Sequence, residues 1–253
     1  MSNPAIDVLF TPADFEALAR VDLSDATCVI FDVLRATSTM VTALARGAAG
    51  ILPCAGIPEA LRAKQDNPAM LLAGERDGLR ITAALSGSID FDLGNSPREF
   101  TAEKIRDHAI AMTTTNGTRA LVACARASTV LIGSFLNLSA ALDALRNALP
   151  KRVLLVCSGT HEEAALEDVL AAGAFCESML NFYPDANTAD SARMAFALYQ
   201  AAKGNLPQAL AMSRNGQRLQ RIPDLSDDIA FCAQLNAFPI ATALKTSGLI
   251  QKL

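Results

Sequence analysis

The sequence lacks the residues on which several functions depend. Histidine occurs only 2 times. Neither His108 nor His161 has a second His or Cys at ligand spacing, which excludes an ordinary zinc site. Lys and Arg together number 22 against 26 Asp and Glu, giving a net charge of −4 with no basic block. That excludes a nucleic-acid partner. The 6 cysteines (Cys28, Cys54, Cys124, Cys157, Cys176 and Cys232) are scattered, and no Cys-x-x-Cys pair occurs. They read as buried thiols of a reducing compartment, not as disulfides or metal ligands. No apolar run approaches membrane-spanning length, so no membrane partner is expected. The opening Met1-Ser-Asn-Pro-Ala-Ile-Asp7 has neither a basic start nor an apolar stretch, and a cytoplasmic location is expected. Neither Gly-x-x-x-x-Gly-Lys-Ser/Thr nor a Gly-x-Gly-x-x-Gly after a strand is present. That argues against a P-loop and against a dinucleotide site.

What is present is a core-forming chain. Its 253 residues are 51% hydrophobic and 19% charged, enough for one α/β domain over residues 1–253. Short apolar runs read as strands at 6–10, 27–31, 50–54, 70–73, 109–112, 130–133 and 153–157. Helical patterns follow most of them, at 38–46, from Pro58, through Leu121, over 139–149 and on to about Leu180. Ser96 with Glu99 forms a capping-box pattern, and Pro97 stands at the first helical position, so a helix is predicted to start at 97. Residues 77–95 show no clear period and read as a functional loop. From residue 187 the chain reads as mainly helical, with Thr188 and Ser226 as caps, Gly204 as a stop and Ser213–Gly216 as a polar turn. This alternation predicts a three-layer α/β/α fold with a mostly parallel or mixed sheet and a helical C-terminal region.

Polar clusters directly follow four of the strands. In such sheets ligands bind beyond the carboxyl ends of strands, so Asp32, Glu75-Arg76, Thr113–Arg119 and Ser158–His161 are expected on one rim. The stretch Thr27–Thr39 is the densest. A strand ends on Asp32, Arg35 follows, and Thr37, Ser38 and Thr39 are placed to cap the next helix. An acid, a guanidinium and hydroxyls suit a metal ion and a phosphate. The plainer reading is a structural Asp32–Arg35 ion pair. In Thr114-Thr-Asn-Gly-Thr118 the backbone around Gly117 and the following helix N-terminus read as an anion cradle, with Arg119 adding charge; a capped strand-to-helix turn is the alternative. Glu167 and Asp168 lie early in a helix. With Asp32 and Glu75 they offer hard oxygen ligands of the kind Mg²⁺ takes, although by themselves they read more readily as solvated helix charges.

The motifs Asp32-Val-Leu-Arg-Ala-Thr-Ser-Thr39, Gly74-Glu-Arg76, Phe91-Asp-Leu-Gly-Asn-Ser-Pro97, Thr114-Thr-Asn-Gly-Thr118 and Leu166-Glu-Asp168 occur in this order. Ser213-Arg-Asn-Gly216 and Asp227-Asp228 with Cys232 follow. Together they resemble the 2-phosphosulfolactate phosphatase family over roughly residues 25–240. The resemblance implies a Mg²⁺-dependent phosphatase that hydrolyses 2-phospho-3-sulfolactate to 3-sulfolactate, a step of coenzyme M biosynthesis. The sequence departs from the pattern twice: 83–90 looks like an insertion, and His161-Glu-Glu-Ala164 replaces a less charged, glycine-containing stretch. On this reading Asp32, Arg35, Glu75 and Arg76 are catalytic. Thr37, Asn95, Thr114, Asn116, Gly117, Thr118, Arg119, Ser158 and Gly159 bind the small anionic phosphorylated substrate. Asp32, Glu167 and Asp168 hold Mg²⁺. The nucleophile is Asp32 or, preferably, a metal-activated water, because Leu34 stands where haloacid dehalogenase phosphatases need a second Asp. Hydrolysis of another small phosphorylated hydroxy acid, or non-catalytic sensing of an anionic metabolite, remains open. Many such domains are homo-oligomers.

Overall fold

Alternating side chains of buried strands must find apolar cover on both faces, and this requirement organises the computed structural model, which describes residues 3–253. In chain order the strands are β1 (Ala5–Leu9), β2 (Ala26–Phe31), β3 (Gly50–Pro53), β4 (Leu71–Arg76), β5 (Leu79–Arg80), β6 (Ala109–Thr113), β7 (Thr129–Gly133), β8 (Arg152–Cys157), β9 (Asn187–Thr188), β10 (Thr242–Leu244) and β11 (Ile250–Lys252). The helices are α1 (Pro12–Glu16), α2 (Ala36–Ala45), α3 (Ile57–Asp66), α4 (Ala83–Ser86), α5 (Ala102–Ile105), α6 (Gly117–Cys124), α7 (Leu138–Ala148), α8 (Leu166–Phe182), α9 (Asp190–Ala202), α10 (Leu206–Met212), α11 (Arg214–Gln220) and α12 (Asp227–Cys232). On β2, Val29 and Phe31 join the apolar cluster under α7, α8 and α9, while Cys28 and Ile30 join the one under α2 and α6. Strands β7 and β8 split the same way, with Leu131 and Leu155 on one face and Ile132 and Val156 on the other. The expected α/β/α layering is therefore present. All six cysteines are buried free thiols.

The sheet is mixed, in the order β5-β4-β6-β3-β11-β10-β7-β2-β8-β1-β9. One block, β4-β6-β3, is parallel. The other, β7-β2-β8-β1-β9, is parallel as well. Between them lies the C-terminal hairpin, whose strands pair antiparallel with each other, with β3 and with β7. Three successive antiparallel pairings make the two blocks run in opposite senses. On a flat sheet their carboxyl ends would lie at opposite edges. Loops from both blocks nevertheless line one cavity, so the sheet is not flat. The chain after 187 is mainly helical, as expected, and the hairpin is an addition to it.

Several local expectations are also corrected. Ser96 and Glu99 form no capping box. The Ser96 hydroxyl donates to Asp228 at 2.7 Å, Glu99 accepts the Gly94 amide at 2.8 Å, and only a single 3₁₀ turn follows. Thr188 sits in β9, and α9 starts without a side-chain cap; α12, at Ser226, also lacks one. The polar turn at Ser213 starts α11, with the Ser213 hydroxyl accepting the Gly216 amide at 3.0 Å. Residues 83–90 form α4 and an exposed turn, and none of them lines the cavity.

Helix α8 carries Glu167 and Asp168 and lies close against α9. At Gly173 an added Cβ would come within 2.1 Å of the Ala195 carbonyl oxygen. Gly173→Ala should gain about 0.5–1 kcal/mol in helix propensity and lose about 1–3 kcal/mol to overpacking. A net loss of stability is expected in urea denaturation. An equal or higher midpoint would show that α8 and α9 can separate without cost.

Candidate active site

The site begins where β2 stops. The Asp32 amide donates to the Thr37 hydroxyl at 3.1 Å, and the Thr37 amide donates back to the Asp32 carbonyl at 2.9 Å. This closes the turn into α2. The Ala36 amide donates to Asp32 Oδ1 at 3.1 Å. Asp32 is buried, lines the cavity and makes no ion pair with Arg35. The hydroxyls expected as caps or ligands are used by the backbone instead: Ser38 donates to the Val33 carbonyl and Thr39 to the Asn95 carbonyl, each at 2.8 Å. Arg35 reaches across to the C-terminal part of the chain. It donates to Asp228 at 2.8 Å and to the Gly78 carbonyl at 2.7 Å. Asp228, fully buried, also accepts from Ser96 and from Arg98 Nε at 2.9 Å. Breaking such a pair would leave an uncompensated buried charge, at a cost of about 3–5 kcal/mol.

Two further carboxylates pin loops. Glu75 Oε1 accepts the Thr115 amide at 3.0 Å and its hydroxyl at 2.9 Å, while Oε2 accepts the Gly78 amide at 2.8 Å. Asp168 Oδ1 accepts the Val33 amide at 2.8 Å, and Oδ2 accepts the Gly159 amide at 3.2 Å. The loops after β2 and β8 are thereby joined. Gly159 has φ +70°, and a Cβ there would sit 2.5 Å from the Glu163 carbonyl oxygen, so glycine is required on both counts. Glu167 Oε1 accepts from Asn215 at 2.6 Å. Glu167 and Asp168 are buried, not solvated.

The expected rim is only partly assembled. Asp32, Arg35, Glu75, Asn95, Thr114 and Asn116 line one cavity. Gly117 packs against it: an added Cβ would lie 3.0 Å from Asp32 Oδ2 and 3.1 Å from the Ala36 methyl. Its φ is not positive, so close approach, not turn geometry, is what needs glycine here. Two arginines are elsewhere. Arg76 alternates with Glu75 along β4 and so points the other way; it donates to the Glu75 carbonyl at 2.6 Å and to Thr113 at 3.2 Å. Arg119 pairs with Glu162 at 2.8 Å and with Glu16, beside a separate groove that Thr118 also lines. Neither is placed to clamp an anion at Asp32. Ser158 lies behind the cavity wall.

The electrostatics are one-sided. Burial raises the Asp32 carboxyl to about 7, and Glu75 and Glu167 push the same way against the Ala36 amide. Burial, Glu167 and Asp32 raise Asp168 well above its ordinary value. Burial also raises Glu167, opposed by its Asn215 hydrogen bond. Four buried oxygens of this region have no hydrogen-bond partner: Asn95 Oδ1, Thr114 Oγ1, Ser158 Oγ and Glu167 Oε2. Each such atom costs free energy unless something fills its valence. Among the described residues no group of three or more His, Cys, Asp or Glu is arranged to hold a metal ion. Mg²⁺ asks for less: one or two carboxylates, with waters and substrate phosphate completing the shell. Raised carboxylates and orphaned oxygens fit such an ion. Asp32 and Glu167 are the better-suited carboxylates, because both Asp168 oxygens already hold amides.

Sequence reasoning missed Asn215, Arg218 and Asp228 as site residues. Asn215 donates to Thr160 at 2.7 Å as well as to Glu167, and Arg218 lines the cavity with His161 and Thr160. Asn215 and Asp228 stand in motifs of the family pattern, which is their signal, and Arg218 had none; nothing local indicated that this region folds back over the loops after β2 and β8.

Residues 14–247 match the family model described as 2-phosphosulpholactate phosphatase. Similar proteins include a probable 2-phosphosulfolactate phosphatase of Synechococcus sp. (strain JA-3-3Ab), 40% identical over 89% of this chain and 91% of that protein. Another, of the same name, from Caldanaerobacter subterraneus subsp. tengcongensis, is 35% identical over 96% of this chain and 97% of its own. A third, from Thermotoga maritima, is 36% identical over 89% and 92%. With the motifs and nearly the whole length in agreement, this chain belongs to the 2-phosphosulfolactate phosphatase family, a family of phosphoric monoester hydrolases.

Proposed function

We propose that this protein hydrolyses 2-phospho-3-sulfolactate to 3-sulfolactate and phosphate in a Mg²⁺-dependent reaction of the coenzyme M biosynthetic type, in the cytoplasm. The observation that carries the reading is the convergence of buried carboxylates and partnerless oxygens on one cavity, in a chain of this family. Asp32 and Glu167, with Asp168 holding the loops that frame them, would bind Mg²⁺. The ion would supply charge neutralisation of the phosphoryl group and activation of water.

The chain's own residues supply the rest. The amides at the start of α6, from Asn116 to Thr118, are the candidate donors to the phosphoryl oxygens, at the positive end of the helix. Asp32 Oδ2 lies next to that point, so a phosphate can settle there only if positive charge or a proton offsets the carboxylate. Arg35, held by Asp228 and Gly78, keeps its guanidinium fixed at the cavity wall, which avoids reorganisation during the reaction. Glu75 holds the Thr115 loop and the Gly78 loop at a set distance, which makes it a positioning residue.

Asp32→Asn should lower kcat by at least about 10²-fold and leave the far-UV circular dichroism unchanged; near-normal turnover would remove Asp32 from the chemistry. Chelation should abolish phosphate release, and added Mg²⁺ should restore it. Full activity in excess EDTA, with metal content verified as low, would end the metal-dependent mechanism. In the metal-free protein the raised Asp32 predicts a pH trend. Between its ordinary value of 3.8 and about 7 the folded state holds the proton more tightly, so unfolding releases protons and stability falls as pH rises. Urea denaturation across pH 4–8 should show this fall, with a smaller slope in Asp32→Asn.

A further inference from the structure

A three-carbon ester carrying a sulfonate and a carboxylate beside its phosphate needs cationic contact at more than one point. The cavity floor cannot provide the second contact. Asp32 and Glu75 are acidic there, and the partnerless atoms are all oxygens. Arg35, 3% exposed, is already engaged by Asp228 and the Gly78 carbonyl. The mouth differs. Arg218 lines it at 40% side-chain exposure, and its one ion-pair partner among the described residues is Asp77, 88% exposed, at 2.8 Å. Pairs this open are weak and screened, so the guanidinium can exchange Asp77 for a ligand anion at little cost. A planar fork of donors suits a sulfonate or carboxylate.

The base of Arg218 is held firmly. Asn215, one helical turn earlier on the same face of α11, is anchored to Thr160 and Glu167. Leu219 is buried in the core, and Gly216 packs so closely that a Cβ would lie 2.0 Å from the Leu210 carbonyl oxygen. Arg214 on the same helix does not line the cavity; it is 63% exposed and pairs with Glu163. Of the two arginines, one turn apart on α11, only Arg218 thus lines the cavity.

We propose that Arg218 is the specificity-determining residue of a second anion subsite, at the cavity mouth, which takes the substrate's sulfonate. This rests on the phosphatase reading above.

The test compares wild type, Arg218→Gln, Arg218→Lys and Arg214→Gln with Mg²⁺ on 2-phospho-3-sulfolactate and on 2-phospholactate, which lacks the sulfonate. Arg218→Gln should raise KM for the sulfonated ester about tenfold or more, change kcat little, and bring the two esters' kcat/KM values together. Arg218→Lys should recover part of the difference, and Arg214→Gln should leave it intact. Equal losses on both esters, or no loss on either, would overturn the subsite. Calorimetric binding of 3-sulfolactate and of lactate reads the subsite without turnover. Wild type should bind 3-sulfolactate more tightly, and Arg218→Gln should lose that advantage. If wild type releases phosphate from neither ester, the phosphatase reading fails and calorimetry alone decides the subsite. Failure of 3-sulfolactate to bind, or equal binding by wild type and Arg218→Gln, would then overturn it.

Discussion

Burying carboxylates is costly, and the architecture around the cavity is largely a set of answers to that cost. Asp168 ties the loops after β2 and β8 through two amides. Glu75 ties the loops after β4 and β6 in the same way. Asp228 brings α12 onto Arg35, Ser96 and Arg98. An unpaired buried charge costs several kcal/mol, so each of these loops has one arrangement far below its alternatives. The loops are rigid because the acids they surround must be satisfied.

Around the cavity the satisfaction is incomplete. Asp32 keeps one oxygen beside Gly117, and Glu167 keeps one with no partner. The arginines that would offset them are engaged with other acids: Arg35 with Asp228, Arg119 with Glu16 and Glu162, Arg214 with Glu163. The site is therefore deficient in positive charge. On the proposed reading a divalent cation would supply what is missing, and a phosphoryl group bound through it would become compatible with the acidic floor. Structural acids and chemically available acids can be told apart here by counting the donors each one already accepts.

Asp32, Arg35, Glu75, Thr114 and Asn116 lie on the cavity as the spacing after the strands suggested, because a parallel strand delivers the residue after it to a predictable end. The failures have specific causes. Arg76 was grouped with Glu75 by adjacency, yet neighbours on a strand face opposite ways. Arg119 was grouped with Gly117, yet two positions on a helix are about 200° apart. The Ser96–Glu99 pattern had the right residues for a capping box, but Asp228, far away in sequence, takes the hydroxyl.

By itself the sequence determined the seven longer strands, the principal helices, the buried thiols and the polar segments that follow β2, β4, β6 and β8. Each of these depends on local alternation, period or composition. Tertiary structure alone decided that the C-terminal hairpin separates two parallel blocks of opposite sense, that both nevertheless present their loops to one cavity, that α11 supplies Asn215 and Arg218 to it, and that α12 sets Asp228 against Arg35. Those outcomes come from pairings between residues far apart in the chain, Asn215 with Glu167 at 48 positions and Arg35 with Asp228 at 193. Their partners are selected by which buried donors and acceptors remain unmet once the chain has collapsed, and no local window of sequence contains that information.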